Sequence, residues 1–131
     1  QMRRSFTFTE PDGCMPQREK LLFVCSRNRI RGLTAEKLLD GHPLYEARSA
    51  GTENGARIRV TAGHIGWADR IFVMEKRHKT RLEEKFHHDL AGKPLVVLFV
   101  PDEYEALAED LFAILRARLT PHLELSESGG A

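Results

Sequence analysis

The stretch Leu21–Leu39, LLFVCSRNRIRGLTAEKLL, joins an apolar run to a helical pattern through a loop rich in arginine. The apolar run ends at Cys25, and three of the next six residues are arginines. Apolar residues recur at helical spacing after Arg31, so the stretch predicts a buried β-strand, a loop and a helix. Like charges at this spacing repel one another, which indicates that the loop holds an anion.

The rest of the chain repeats this alternation of strands and helices. Three further runs predict strands, LYEARSAG (44–51), DRIFVM (69–74) and PLVVLFV (94–100), and a helical pattern follows each of them. The last helix is predicted from about residue 103 to 119. The order βαβαβαβα with nearly continuous apolar strands predicts an α/β fold: a single domain with a four-stranded parallel sheet and helices on both faces.

Composition and chain ends bound the organisation. The chain has 131 residues, of which 41% are hydrophobic and 30% charged, as expected for one soluble domain. Residues 1–19 lack periodicity, so we expect a flexible leader, an α/β domain over 20–119 and a C-terminal tail over 120–131. The apolar runs are too short for a membrane span, and the chain start has no signal-peptide core. We therefore expect a cytoplasmic protein that does not bind membranes.

Charge and cysteine content exclude other classes. Residues 1–81 carry 16 Lys and Arg against nine Asp and Glu, whereas residues 82–131 carry four against ten. This asymmetry favours a local anion site over a nucleic-acid interface, which is usually basic throughout. The two cysteines, Cys14 and Cys25, argue against a disulfide framework. The six histidines lack metal-ligand spacing, so we expect no metal site and no cofactor.

The loop after Cys25 has the chemistry of a phosphate site. Ligands of parallel α/β folds bind beyond the carboxyl ends of the strands, next to helix N-termini. Backbone N–H groups of the loop can surround a tetrahedral anion, and Arg31 can grip two phosphate oxygens. These positive groups would lower the pKa of Cys25 and favour the nucleophilic thiolate. The predicted phosphate-binding residues are Ser26, Arg27, Asn28, Arg29, Ile30 and Arg31.

Less specific explanations exist for the same residues. A cysteine at the end of a buried strand is often a small hydrophobic residue, and surface arginines are commonly only solvated. The Cys-x5-Arg spacing by itself also occurs by chance. The position of this loop between a strand and a helix favours the phosphate site. By contrast, we interpret the later charged stretch EKRHKTRLEEKF, residues 75–86, as a solvated helix face.

Four segments together resemble a known family. LLFVCSRNRIRGLTAEKLL is similar to the active-site loop of the low-molecular-weight protein tyrosine phosphatases, whose pattern is V-C-x5-R-[ST]. SAGT (Ser49–Thr52), ADRIFVMEKRHKTRL and LFVPDEY follow in the family's order, so the resemblance covers about residues 20–119. It is greatest to a short bacterial branch of predicted phosphatases. The resemblance implies the flavodoxin-like fold of this family.

The resemblance also implies an activity and roles for single residues. Cys25 would attack phosphorus to form a thiophosphate intermediate, and Arg31 would clamp the equatorial oxygens. The other implied roles are loop bracing by Asn28 and Ser49, leaving-group protonation by Asp102, and an aromatic rim supplied by Tyr104. The substrate would be a phosphotyrosine protein or a small aryl phosphate, with inorganic phosphate as product and inhibitor. No cofactor is implied.

Asp102 has a second interpretation. Asp102-x-x-Glu105 precedes an apolar-periodic helix and therefore also matches an N-terminal capping box. A capping carboxylate accepts hydrogen bonds from N–H groups, whereas a general acid must carry a proton. Its position after a strand that ends beside Cys25 favours the acid. Glu103 is the alternative acid if Asp102 caps the helix.

The chain departs from the family pattern at the loop and in the segment after the second strand. Gly32 replaces the family's Ser or Thr, whose hydrogen bond to the thiolate contributes about 1.5–3 kcal/mol, or about 1–2 pKa units. We therefore expect a less acidic Cys25 and slower turnover than in the family. The stretch Thr52–Ala68 is shorter than its family counterpart, which predicts a more open site. The alternative function is a pseudophosphatase that binds phosphate or phosphotyrosine with little turnover.

Overall fold

The computed structural model describes residues 18–28, 30–101 and 103–124. Four strands and four helices alternate along this part of the chain, in the predicted order. The elements are β1 (Glu19–Cys25), α1 (Arg31–Leu38), β2 (Tyr45–Gly51), α2 (Ala62–Trp67), β3 (Arg70–Val73), α3 (Lys76–Leu90), β4 (Leu95–Val97) and α4 (Glu109–Leu119).

The four strands form one parallel sheet in the order β2-β1-β3-β4, which confirms the predicted α/β fold. Strand β1 lies between β2 and β3, and its residues Leu21–Cys25 are buried. An interior strand covered on both faces has no polar side, and this explains the continuous apolar run that predicted it. Cys25 pairs with Gly51 at the carboxyl edge of the sheet, so the loop after β1 begins at that edge.

Helices cover both faces of the sheet, as predicted. Leu21 and Phe23 of β1 belong to one buried cluster, together with residues of α1 and α4. Leu22 and Val24, which alternate with them, belong to a second cluster with residues of α2 and α3. Alternating side chains of a strand point to opposite faces, so the two clusters are the two sides of the sheet. None of the helices within the described ranges has the length and apolar character that a membrane crossing requires.

The last helix begins later than predicted. We expected it from about residue 103, but α4 starts at Glu109, with Ala108 as its N-cap. Leu107 has a φ of +61°, in the left-handed region that a right-handed helix cannot include. At the chain start, Glu19 already pairs with Tyr45, so β1 takes in the last residue of the predicted leader. Residues 1–17 of the leader and residues 125–131 of the tail lie outside the described residues.

Candidate active site

The carboxyl end of β1 opens into a cavity of about 400 Å³. Cys25 is the last residue of the strand, is 2% exposed, and lines this cavity. The other lining residues among the described ones come from the loop after β1, from the start of α1, from the segment after β2 and from the first turn of α3. They are Ser26, Arg27, Asn28, Ile30, Arg31, Glu53 and Arg77. The structure therefore brings the described members of the predicted phosphate loop together around the cysteine.

The carbonyl groups of residues 25–28 face away from this cavity, toward the segment after β2. The Cys25 and Ser26 carbonyls accept hydrogen bonds from the backbone N–H groups of Thr52 and Glu53, both at 2.9 Å. The next two carbonyls both bond to Arg57: its backbone N–H reaches the carbonyl of residue 27 at 2.9 Å, and its Nε reaches that of residue 28 at 3.1 Å. In a planar trans peptide the N–H points opposite to the carbonyl. The N–H groups of residues 26–28 therefore point back toward the cysteine side of the loop.

Glycine at position 51 permits this close approach. A Cβ at Gly51 would lie 2.5 Å from the Ser26 carbonyl oxygen and 2.7 Å from Ala56 Cβ, distances that require backbone movement. The stretch Thr52–Ala68 was predicted to be short and to leave the site more open. Its part before α2 contains no helix or strand, supports the phosphate loop with hydrogen bonds and adds Glu53 to the cavity wall.

Asn28 holds an unusual backbone conformation beneath the sulphur. Its φ is +57°, its side chain is fully buried, and its N–H lies 3.1 Å from Cys25 Sγ. The Asn28 side-chain amide donates to the Ser49 carbonyl at 3.2 Å, so the two residues implied as a brace are in contact. The contact uses the backbone of Ser49, because the Ser49 hydroxyl bonds to Glu36 at 2.5 Å. Among the described residues, Asn28 Oδ1 has no hydrogen-bond partner.

Burial raises the pKa of the Cys25 thiol above its ordinary value. Positive groups around the sulphur act in the opposite direction and lower that pKa: the backbone N–H groups of Gly32, Asn28 and Arg27 and the Arg31 guanidinium. These donors act as predicted, but the expected net lowering of the pKa is wrong. The expectation counted the donors and omitted the loss of water around a sulphur at the end of a buried strand.

Arg31 lies at the opposite end of the loop from Cys25, at the first position of α1. It is 2% exposed and donates to the Val100 carbonyl at 3.0 Å. Its guanidinium also forms an ion pair with Glu75, the N-cap residue of α3. Hydrogen bonds from Arg77 and Arg31 hold the pKa of the Glu75 carboxyl down at about 2. Arg31 is therefore oriented by an ionised carboxylate and a backbone carbonyl.

The first turn of α3 belongs to the site, and the interpretation of residues 75–86 as a solvated face is wrong at its beginning. Glu75 bonds to Arg31, Arg77 lines the cavity, and His78 is 1% exposed with Nε2 2.9 Å from Ser26 Oγ. Sequence reasoning missed these residues. The available signal was their place directly after a predicted parallel strand, at the same sheet edge as Cys25.

The segment after β4 bears on the general acid. Asp102 lies outside the described residues. Glu103 is exposed, does not line the cavity, and is not helical. Helix α4 begins at Glu109, six residues after Glu103. Residues 103–105 therefore do not form the helical turn that a capping box needs. Leu107 N–H bonds to Thr34 Oγ1 at 3.0 Å, which ties this segment to α1.

Tyr104 is half-buried and packs against the apolar cluster that includes α1 and α4. It is not among the residues that line the cavity, so the structure does not bring it into the described wall of the site. Arg29 and Cys14 lie outside the described residues. Within the described ranges, no group of three or more His, Cys, Asp and Glu side chains is placed to hold a metal ion.

Comparisons with known proteins give the fold. No protein-family model matches the chain, and no curated protein matches it in sequence. Solved structures do match: the low-molecular-weight protein tyrosine phosphatase SP-PTP from Streptococcus pyogenes has a TM-score of 0.66 at 16% identity, covering 81% of this chain and 94% of its own. The tyrosine phosphatase Wzb from Escherichia coli K30, in complex with phosphate, has a TM-score of 0.64 at 18% identity, covering 80% and 96%.

A phosphatase of a different specificity matches as well. The YwlE arginine phosphatase from Geobacillus stearothermophilus has a TM-score of 0.53 at 23% identity, covering 79% of this chain and 84% of its own. The chain therefore has the fold of the low-molecular-weight phosphatases, which is shared by tyrosine and arginine phosphatases. Identities at this level establish the fold and leave the activity to chemistry at the site.

Proposed function

We propose that this protein is a cysteine-dependent phosphomonoester hydrolase that acts on phosphotyrosine in proteins or on small aryl phosphates. One observation carries the proposal: Cys25 and Arg31 line the same cavity, and the loop between them turns its first carbonyls outward. Inward N–H groups and a guanidinium attract a phosphate dianion, and the sulphur beside them is a nucleophile when ionised. The reaction takes place in the cytoplasm, where thiols stay reduced.

In the first step, the Cys25 thiolate attacks phosphorus and forms the S–P bond. The bond between phosphorus and the leaving oxygen breaks, and its electron pair stays on that oxygen. The loop N–H groups and the Arg31 guanidinium stabilise the charge on the three equatorial oxygens. Because Glu75 and the Val100 carbonyl already orient Arg31, little reorganisation is needed when the phosphoryl group arrives.

A carboxylic acid supplies the proton that the leaving oxygen takes up, and Asp102 is the proposed donor. Water then attacks phosphorus, its proton passes to the same carboxylate, and the S–P bond breaks with its electron pair returning to sulphur. Inorganic phosphate leaves as the product. Glu103 remains the alternative donor, since it directly follows Asp102 on the segment that Leu107 and Thr34 anchor to α1.

The positive charges that line the cavity favour negatively charged substrates. Arg27 and Arg77 are exposed lining residues, and they attract substrates with further negative groups near the phosphoryl group. Tyr104 would complete an aryl pocket only if it moved to the rim from its position against the core. Because an arginine phosphatase shares the fold, phosphoarginine is the comparison substrate for the tyrosine proposal.

The alternative is a pseudophosphatase that binds phosphate or phosphotyrosine with little turnover. The upward pKa shift of Cys25 favours it, because fewer molecules carry the thiolate at neutral pH. Gly32 favours it too, since glycine offers no hydroxyl to stabilise the thiolate. Both observations bear on rate and leave the anion-binding groups in place.

The test is hydrolysis of p-nitrophenyl phosphate in the presence of EDTA across pH, followed by phosphotyrosine and phosphoarginine peptides. The variants are Cys25→Ser, Asp102→Asn and, as the matched control for the acid, Glu103→Gln. We expect metal-independent turnover that Cys25→Ser abolishes, that Asp102→Asn lowers, and that Glu103→Gln preserves. A larger loss in Glu103→Gln than in Asp102→Asn would reverse the assignment of the acid.

Phosphate binding separates the enzyme from the pseudophosphatase. Phosphate at 100 times its Kd raises the free energy of unfolding by about 2.7 kcal/mol, which a thermal melt detects. A wild-type protein as inactive as Cys25→Ser but stabilised by phosphate would support the pseudophosphatase. A protein that neither hydrolyses the ester nor responds to phosphate would refute both functions.

A further inference from the structure

His78 connects the first turn of α3 to the residue that follows the nucleophile. It is 1% exposed, and its Nε2 lies 2.9 Å from Ser26 Oγ in a buried contact. Its Nδ1 lies 3.0 Å from the backbone N of Glu75, the N-cap residue of the same helix. Ser26 is itself 8% exposed and lines the cavity beside Cys25.

The contacts at Nδ1 and Nε2 of the imidazole determine which of these atoms donates. A backbone N–H can only donate, so the Glu75 amide requires an unprotonated Nδ1 on His78. The neutral ring then carries its proton on Nε2, and this N–H donates to Ser26 Oγ. The tautomer follows from the donor at Nδ1, since hydrogen positions are assigned from partners.

The direction of the Ser26 hydroxyl proton follows from this tautomer. A hydroxyl has one proton and two acceptor lone pairs. Because His78 donates to Oγ, the hydroxyl proton of Ser26 is directed away from the ring. Ser26 lines the cavity beside Cys25, so this proton is available to a ligand in that cavity. An anion held there receives an O–H donor in addition to the backbone N–H groups.

We propose that Ser26 donates its hydroxyl proton to the bound phosphoryl group and that His78 is the positioning residue that orients this hydroxyl. The proposal rests on the phosphate site described under the proposed function. It adds a side-chain donor to a cradle otherwise built from backbone and guanidinium groups. It also gives the start of α3 a second role at the site, beside the contact of Glu75 with Arg31.

The experiment measures binding of inorganic phosphate by calorimetry and, in parallel, kcat/KM for p-nitrophenyl phosphate. Ser26→Ala removes the hydroxyl and should weaken phosphate binding about tenfold to hundredfold, the effect of one hydrogen bond to a charged group. His78→Asn places an amide oxygen near the Nδ1 position, so it keeps the Glu75 contact but falls short of Ser26. His78→Gln extends an amide N–H to the Nε2 position and should retain most of the phosphate affinity.

His64 provides a matched control. It occupies the same third position of α2, where its Nδ1 lies 3.0 Å from the Thr61 backbone N, and it does not line the cavity with Cys25. His64→Asn should leave phosphate binding and kcat/KM unchanged. Thermal melts of all variants report any general loss of stability, which a purely structural role of His78 would produce.

A double variant tests whether His78 acts through Ser26. If it does, Ser26→Ala combined with His78→Asn binds phosphate no more weakly than Ser26→Ala alone. The proposal would be overturned if the losses of phosphate affinity in the double variant were additive. It would also be overturned if either His78→Asn or Ser26→Ala bound phosphate as tightly as wild type. When wild type hydrolyses the ester and binds phosphate, such a result leaves the proposed function standing. A wild type that does neither overturns the proposed function and this inference together.

Discussion

Gly32 lies beside the nucleophile, at the position where the phosphatases that the chain resembles carry Ser or Thr. A Cβ at this position would lie 3.0 Å from Asn28 Oδ1, 3.2 Å from Cys25 Sγ and 3.3 Å from Ser49 Cβ. A serine hydroxyl is one bond beyond Cβ, so Gly32→Ser brings a donor within reach of both Oδ1 and the sulphur. Asn28 Oδ1 is buried and has no partner among the described residues.

The magnitude follows from these two acceptors. A hydrogen bond to the thiolate contributes about 1.5–3 kcal/mol, which corresponds to a pKa of Cys25 lower by about 1–2 units. With the thiol neutral, the same proton can satisfy Asn28 Oδ1, and relief of an unsatisfied buried acceptor is worth about 1–3 kcal/mol. The opposing cost is steric, because the atoms next to the new Cβ must move by a few tenths of an ångström.

Gly32→Ala is the matched control, since it carries the same Cβ without the hydroxyl. Alanine at the second position of α1 also gains about 1 kcal/mol of helix propensity over glycine. Stability alone therefore does not separate the two variants, but the acidity of Cys25 does. We expect the thiol pKa to be about 1–2 units lower in Gly32→Ser than in Gly32→Ala.

The assay is the pH dependence of alkylation by iodoacetamide, in a Cys14→Ser background so that a single thiol titrates. Burial raises the pKa of Cys25, so the wild-type reaction should still accelerate as pH rises above neutral. In Gly32→Ser the rise should occur at lower pH, and hydrolysis of p-nitrophenyl phosphate at pH 6 should increase with it. Identical titration of the Ser and Ala variants would refute the reasoning, because the hydroxyl would then not reach the sulphur.

Three further substitutions test the architecture around the site. Glu75→Gln removes a carboxylate whose pKa is about 2 in the folded protein and about 4.3 in the unfolded chain. The difference in free energy of unfolding between wild type and Glu75→Gln should be largest above about pH 5, shrink as pH falls, and vanish near pH 2. Thermal melts of both proteins over this pH range measure the difference. Thr34→Val leaves the Leu107 N–H without its acceptor and should lower the free energy of unfolding by about 1–3 kcal/mol in denaturant titrations; an unchanged midpoint would contradict the anchoring role. Arg57→Met removes the Nε bond to a loop carbonyl and should weaken phosphate inhibition by up to about tenfold, whereas Arg59→Met in the same segment serves as its control.

The sequence was sufficient to predict the sheet and the position of the site. A strand buried on both faces leaves an uninterrupted apolar run, and β1 and β3 were recognisable in this way. Parallel strands place their following loops at one edge. The Cys25-to-Arg31 spacing after the first run therefore predicted where the cavity lies, at the carboxyl edge of the sheet, and the structural matches confirm the fold.

Local patterns failed where a distant contact decides the conformation. The apolar period from Tyr104 onward predicted a helix from residue 103, but Leu107 adopts a positive φ with its N–H bonded to Thr34 of α1. Helical periodicity carries no information about such a bond, which joins residues 73 positions apart. For the same reason, the charged start of α3 was interpreted as solvated although Glu75 and His78 face the phosphate loop.

By itself, then, the sequence determined the layered α/β architecture, the loop at the end of β1 and the identity of the nucleophile candidate, because these depend on neighbours along the chain. Only the tertiary structure decided the environment of that nucleophile. Burial sets the direction of the Cys25 pKa, and donors from after β2 orient the loop. At the start of α3, Glu75 orients Arg31 and His78 contacts Ser26. Each effect arises between segments far apart in sequence, whose distances and solvent exclusion exist only once the sheet has formed.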